Sequence, residues 1–235
     1  LNQMKRFLCW IILIFSLNFS NSQMHEFGLF VGGSNFIGDI GGTEFIKPSS
    51  TSFGLLYKWN ITTRYSLRAS YKLSRLEGYD TKSKDINRFS RGLSFKNNIQ
   101  EFSAGIEFNF FDFNLHDEQM YYSPYIYTGI NYFKYSLLKM NFSSKIAEKY
   151  DEELNFGLPI ILGLKTNISS DFVIGVEFGF RYTFTDNIDS SNPIKEFSDN
   201  KDLKFGELSN KDWYTFSGIT LSYTFGRMPC YCKEK

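Results

Sequence analysis

Cys230 and Cys232 flank Tyr231 close to the end of the sequence, and their thiols are the side chains most open to covalent chemistry. In an extended chain, residues two apart share a face with α-carbons about 6.5 to 7 Å apart, the outer limit for a disulfide. A local bridge therefore needs a turn, whereas a bridge or contact to a partner does not; metal or redox chemistry is a third use of the pair. Two neighbouring thiols in an oxidising compartment rarely stay free. The histidines are His25 and His116. Nucleophilic catalysis needs a nucleophile, a base and an acid within hydrogen-bond reach, and the placement of these histidines gives no sign of it. No metal-ligand cluster, phosphate loop or paired-carboxylate signature stands out. The expectation is a protein that is not an enzyme and holds no cofactor or metal.

A second set of chemically active residues is spread along the chain with a rhythm. Glu26, Lys58, Arg68, Lys72, Glu101, Glu107, Lys165, Glu177 and Arg181 occupy the alternate positions of segments whose other positions are apolar. The clearest segment runs from Phe172 to Phe184. There Phe172, Ile174, Val176, Phe178, Phe180, Tyr182 and Phe184 fall on one face, and Val173, Gly175, Glu177, Gly179, Arg181 and Thr183 on the other. A period of two sends successive strand side chains to opposite faces. In an exported chain, a continuous aromatic face opposite a charged one predicts lipid outside and a polar lumen inside.

The elements that must position these charges are eight strands, at 25–33, 52–60, 64–75, 94–111, 121–138, 155–167, 172–184 and 213–225. Outward faces are Phe53, Leu55, Tyr57 and Trp59; Tyr65, Leu67, Ala69, Tyr71 and Leu73; and Phe102, Ala104, Ile106, Phe108 and Phe110. An eight-stranded antiparallel barrel is just wide enough for side chains to fill, and isolated buried charges are costly. The charges therefore predict a salt-bridged plug and not a pore, with Arg181 paired to Glu177 on its own strand face or to another glutamate across the barrel. Inward glycines, among them Gly54, Gly163 and Gly179, leave room for long side chains opposite. Pro159 cannot donate a ladder bond and predicts a bulge or a register irregularity in the sixth strand. Connections at 34–51, 76–93, 139–154 and 185–212 are long, those at 61–63 and 168–171 short and that at 112–120 moderate. Outer-membrane barrels keep short turns on the periplasmic side, which puts both termini in the periplasm.

Export itself is predicted by the start of the chain. Met4-Lys5-Arg6 is a basic region, Phe7 to Phe19 an apolar one and Ser20-Asn21-Ser22 a small and polar cleavage region. The organisation expected is a signal peptide over 1–22, including upstream residues, a barrel over 23–226 and a periplasmic tail over 227–235. Aromatic residues make up 19% of the chain, as aromatic girdles require. A formal net charge of +1 lacks the basic footprint of a nucleic-acid binder.

Four stretches carry a family resemblance: Glu26-Phe27-Gly28 through Ile37-Gly38-Asp39-Ile40-Gly41; Ser123-Pro124-Tyr125-Ile126-Tyr127-Thr128-Gly129-Ile130; Gly175 through Asp186; and Phe225-Gly226-Arg227-Met228-Pro229-Cys230-Tyr231-Cys232. Together they resemble the PorG-type outer-membrane barrels of the Bacteroidetes type IX (Por) secretion system. The resemblance implies an accessory, non-catalytic role in protein secretion and gliding motility. It also implies contact with outer-membrane lipid, with the periplasmic ring of the PorK lipoprotein and PorN, and with PorM. A self-contained small barrel, either a narrow channel or a lipid-modifying enzyme, is the alternative.

Overall fold

The computed structural model describes residues 24–42, 44, 46–114, 120–169, 171–207 and 211–226. The expected signal peptide, His116, and the tail with Cys230 and Cys232 lie outside the described residues. Eight antiparallel strands close into a barrel in chain order: β1 (Met24–Ile37), β2 (Ser50–Asn60), β3 (Tyr65–Tyr79), β4 (Ser94–Asn109), β5 (Tyr122–Asn141), β6 (Ile146–Asn167), β7 (Phe172–Thr183) and β8 (Trp213–Gly226). Closure is made by β1 against β8, from Met24 opposite Gly226 to Ile37 opposite Trp213. Both ends of the barrel chain therefore lie at one rim, the terminal end, with connections 61–64, 110–121 and 168–171. The opposite rim, the loop end, carries 38–49, 80–93, 142–145 and 184–212.

Alternation decides which way each strand faces. Phe27, Leu29, Val31, Phe53, Leu55, Phe102, Ile106, Ile130 and Val176 all face outward and are exposed, Val176 by 60%, while none of the nine alternating charges is more than 2% exposed. Oily outside and charged inside is the distribution of a transmembrane barrel, whose backbone polar groups are all paired between strands. Among the described residues no helix is long and apolar enough to cross a membrane.

The strands run further toward the loop end than alternation alone reveals. β1 continues to Ile37, β3 to Tyr79, and β6 begins at Ile146, so the connection expected at 139–154 is a tight turn. Asn141 Oδ1 accepts from the backbone N–H groups of Ser143 and Ser144, and Lys145 closes the turn with φ 59°. Charges stand on both faces of 146–153 because both faces lie beyond the lipid, which erases the period of two. At Pro159 the pairing with β5 lapses between Thr128 opposite Ile160 and Asn131 opposite Gly157, but the register is unchanged across the gap, so the bulge lies elsewhere. The shift lies between Leu137 and Leu138, where Leu137 faces Asp151 and Leu138 faces Lys149. Tyr150 is the extra residue, and opposite it Leu137 and Leu138 are both buried.

The interior has two layers. Toward the terminal end it is polar and ionic. Toward the loop end an apolar cluster that includes Phe30, Phe36, Phe95, Phe133, Leu137, Ile188, Tyr214 and Phe216 fills the barrel. The loops close over this cluster. Helix α1 (Ile86–Arg91) starts at Asp85, whose carboxylate accepts from the N–H groups of Asn87 and Arg88, and ends at Gly92 with φ 70°. Its Arg88 donates to the carbonyls of Gly38 and Gly41, and Arg91 to Asp80 and the carbonyl of Asp39.

Candidate functional site

Seven of the nine charges meet in one network. Glu107, on β4, takes Lys58 at 2.9 Å, Lys165 at 2.7 Å and Arg68 at 3.2 Å. Arg68 also holds Glu177 with two parallel bonds of 2.6 and 3.0 Å, the bidentate geometry in which a guanidinium pairs most strongly. Tyr125 Oη donates to Glu177 at 2.6 Å. Lys72 lies 3.8 Å from Glu177 and 4.0 Å from the centre of the Phe30 ring. Glu26 lies 3.9 Å from Lys58 and accepts from Asn60 Nδ2 at 2.9 Å.

The other two charges form a separate pair nearer the loop end. Arg181 faces Glu101 at 3.3 Å, stacks on Phe216 at 4.4 Å and donates to the Gly179 carbonyl at 2.7 Å. Glu101 also accepts from Tyr214 Oη at 2.7 Å and Asn131 Nδ2 at 3.0 Å. Arg181 thus pairs across the barrel and not with Glu177, which Arg68 and Tyr125 already occupy. Glycine provides the space. A Cβ on Gly163 would enter the Tyr125 ring, and one on Gly54 would sit 2.7 Å from Lys72 Cγ.

Such a lumen can fix the barrel's shape. Each carboxylate is engaged by a cation, and the bundle is bounded at the loop end by the apolar cluster. At the terminal end Phe113, buried with Val173, lies 4.8 Å from Lys165 Nζ. His25 is remote from it, on the outward face, hydrogen-bonded to Tyr57 at 2.8 Å and stacked with Tyr57 and Phe225. Among the described residues no three His, Cys, Asp or Glu side chains are placed to share a metal ion.

The loop end holds a group of acids that strand periodicity does not single out. Asp189 accepts from the N–H groups of Asp39 and Ile40 at 2.9 and 3.1 Å, and Asp212 from that of Ile188 at 2.8 Å. Burial and the neighbouring carboxylates, Asp39 among them, raise Asp186 to about 6 and push Asp189 and Asp212 upward as well. Asp189 thereby pins connection 184–212 onto connection 38–49, while Asp212 ties the two ends of 184–212 together.

A family described as "Domain of unknown function (DUF6089)" matches residues 5–234. No curated protein matches the chain. Among solved structures, the chain is similar to the attachment invasion locus protein Ail of Yersinia pestis in complex with the heparin analogue sucrose octasulfate, at 14% identity and a TM-score of 0.47, covering 87% of this chain and 99% of that one. It is also similar to Neisserial surface protein A, at 11% identity and 0.45, covering 86% and 96%. OprG of Pseudomonas aeruginosa is similar at 9% identity and 0.42, covering 88% and 97%. The likeness is one of barrel backbone only.

Proposed function

The chain belongs to the DUF6089 family, and we propose that it is a non-catalytic outer-membrane anchor that docks a periplasmic secretion machine through its terminal end. The observation that carries this reading is the filled lumen. Paired charges occupy the axis and aromatic side chains bound it, so the molecule offers surfaces to a partner and not a path for a solute. Connection lengths support a periplasmic terminal end, since 61–64 and 168–171 are short while 38–49, 80–93 and 184–212 are long, which outweighs the tight turn 142–145 and the longer 110–121. The resemblance of the four quoted stretches to PorG-type barrels supports the partners: the ring of PorK and PorN, and PorM, in a type IX secretion system.

The test is recovery of ring components by full-length barrel, by barrel ending after Gly226 and by a Cys230→Ser/Cys232→Ser double variant, expressed at equal levels. Truncation removes no barrel strand, so insertion survives while recovery falls. A species on non-reducing gels that collapses on reduction marks a covalent contact, absent in the double variant. Undiminished recovery by the truncated barrel removes the tail from the mechanism and directs attention to the connection containing His116. The reading as a self-contained channel or lipid-modifying enzyme is favoured instead if the purified barrel conducts ions or turns over lipid.

A further inference from the structure

The outer wall at the loop end opens where β4 and β5 part. Their ladder stops at Gln100 opposite Lys134. Beyond that point the strands are joined through a side chain, with Asn97 Nδ2 donating to the Ser136 carbonyl and Ser136 N–H donating back to Asn97 Oδ1, both at 2.8 Å. Two adjoining recesses flank this fork on the outside of the barrel. One of about 450 Å³ is lined by Arg75, Asn98 and Gln100, among others; the second, of about 120 Å³, shares Asn98 and Gln100 and adds Lys134, Lys149 and Glu152.

Register fixes the height of this wall. Going toward the loop end, the outward residues of β3 change from Tyr71 and Leu73 to Arg75, those of β4 from Phe102 to Gln100 and Asn98, and those of β5 from Tyr132 to Lys134. The recesses therefore sit one step beyond the lipid-facing band, at the level of headgroups. The charge there is unbalanced. Arg75 Nε is bonded to Asn98 Oδ1 at 3.1 Å, a neutral partner, Lys134 and Lys149 share the carboxylate of Glu152, and the adjoining Asp151 and Glu153 are taken up by Lys195 at 2.6 and 3.3 Å, so four cations stand against three carboxylates. One step further out Glu77 stands opposite Lys96. On the other side of the barrel the corresponding rim is aromatic, with Tyr182 packed on Trp213 at 4.9 Å and on Phe184 at 5.5 Å.

We propose that this fork is a binding site for a phosphate-bearing lipid of the loop-end leaflet, a phosphorylated lipid A, with its phosphate held between Arg75, Lys134 and Lys149. Asn98 and Gln100 supply further polar contacts, and the acyl chains lie against Leu73, Phe102 and Tyr132. The choice of lipid A rests on the proposed orientation, with the terminal end periplasmic and the loop end in the outer leaflet, but not on docking itself, so loss of ring recovery leaves the lipid site standing and loss of lipid binding leaves docking standing.

Native mass spectrometry of the full-length barrel in detergent, titrated with phosphorylated lipid A, a phosphate-free lipid A and inorganic phosphate alone, tests it. A basic group near a membrane surface is worth about fivefold in attraction for an anionic lipid. Arg75→Gln/Lys134→Gln/Lys149→Gln is therefore expected to weaken binding of the phosphorylated lipid by roughly a hundredfold, and Glu152→Gln to tighten it. Lys47→Gln/Lys84→Gln, on loops elsewhere at the same rim, leaves it unchanged. Glu152→Gln keeps the test decisive if the triple variant does not fold. Equal binding by the triple variant, equal binding of the phosphate-free lipid, weaker binding by Glu152→Gln, or inorganic phosphate binding as tightly as the lipid would each overturn the assignment.

Discussion

Replacing Glu107 by Gln keeps the shape of the side chain and removes the one charge on which Lys58, Lys165 and Arg68 converge at 2.9, 2.7 and 3.2 Å. Breaking a single buried ion pair from one side destabilises a protein by roughly 3 to 5 kcal/mol, because the remaining charge is left uncompensated. Here three cations lose a partner together. Arg68 keeps Glu177, and Lys58 keeps only Glu26 at 3.9 Å, so Lys58 and Lys165 bear most of the loss. The expected cost is about 4 kcal/mol or more, a large part of the 5 to 15 kcal/mol typical of a folded domain. Glu26→Gln, which loses one distant contact and retains the Asn60 bond, should cost clearly less. Unfolding in urea from detergent micelles, followed by tryptophan fluorescence, gives both values. A second change, Lys58→Met in the Glu107→Gln background, should recover part of the loss by removing a stranded charge. A Glu107→Gln barrel within 1 kcal/mol of the parent, or no less stable than Glu26→Gln, would refute the view that the lumen is held by these charges.

Gly163→Ala should destabilise the barrel by roughly 1 to 3 kcal/mol, because the new methyl displaces the Tyr125 ring and loosens its bond to Glu177; the same unfolding assay measures it, and an unchanged midpoint contradicts the packing. The loop-end acids set a pH dependence. Asp186, raised to about 6, and Asp189 and Asp212, also raised from an ordinary 3.8, favour their neutral forms in the fold. Their contribution to stability is therefore fully present below the unfolded value and is lost as pH rises through the folded value. Hydrogen exchange across 185–192, corrected for the intrinsic pH dependence of exchange, should show greater protection at about pH 5 than at about pH 7.5; the reverse order would contradict the assignment. In planar bilayers the wild-type barrel should show no steady, large single-channel current, and such a current would contradict a filled lumen.

Much of the barrel is legible in the chain because lipid and lumen impose opposite chemistry on alternate residues. Phe172 to Phe184 needs no partner to declare itself a strand, and the parity that sends Phe178 outward also sends Glu177 and Arg181 inward. Partner choice is another matter. Arg181 and Glu177 share a face four residues apart, yet Arg181 meets Glu101, eighty positions away in the chain, because strand stagger sets which inward residues share a level. The bulge at Tyr150, the helix at Ile86–Arg91 and the strand start at Ile146 lie outside the lipid band, where both faces are wet and alternation carries no information. The apolar layer around Phe95, Phe133, Ile188 and Phe216 belongs to inward positions and a loop, and only their convergence makes it a core. The fork beside Lys134 depends on where a ladder ends, which periodicity does not encode.

Docking through the terminal end is tested most directly by crosslinking mass spectrometry on native envelopes with a reagent joining lysines to carboxylates. Asp112 and Asp171 mark the terminal end, and Lys47, Lys84 and Lys139 the loop end. The expected result is crosslinks from Asp112, Asp171 and the residues after Gly226 to the ring proteins, with none from the loop-end lysines. Ring crosslinks confined to Lys47, Lys84 and Lys139 would contradict it.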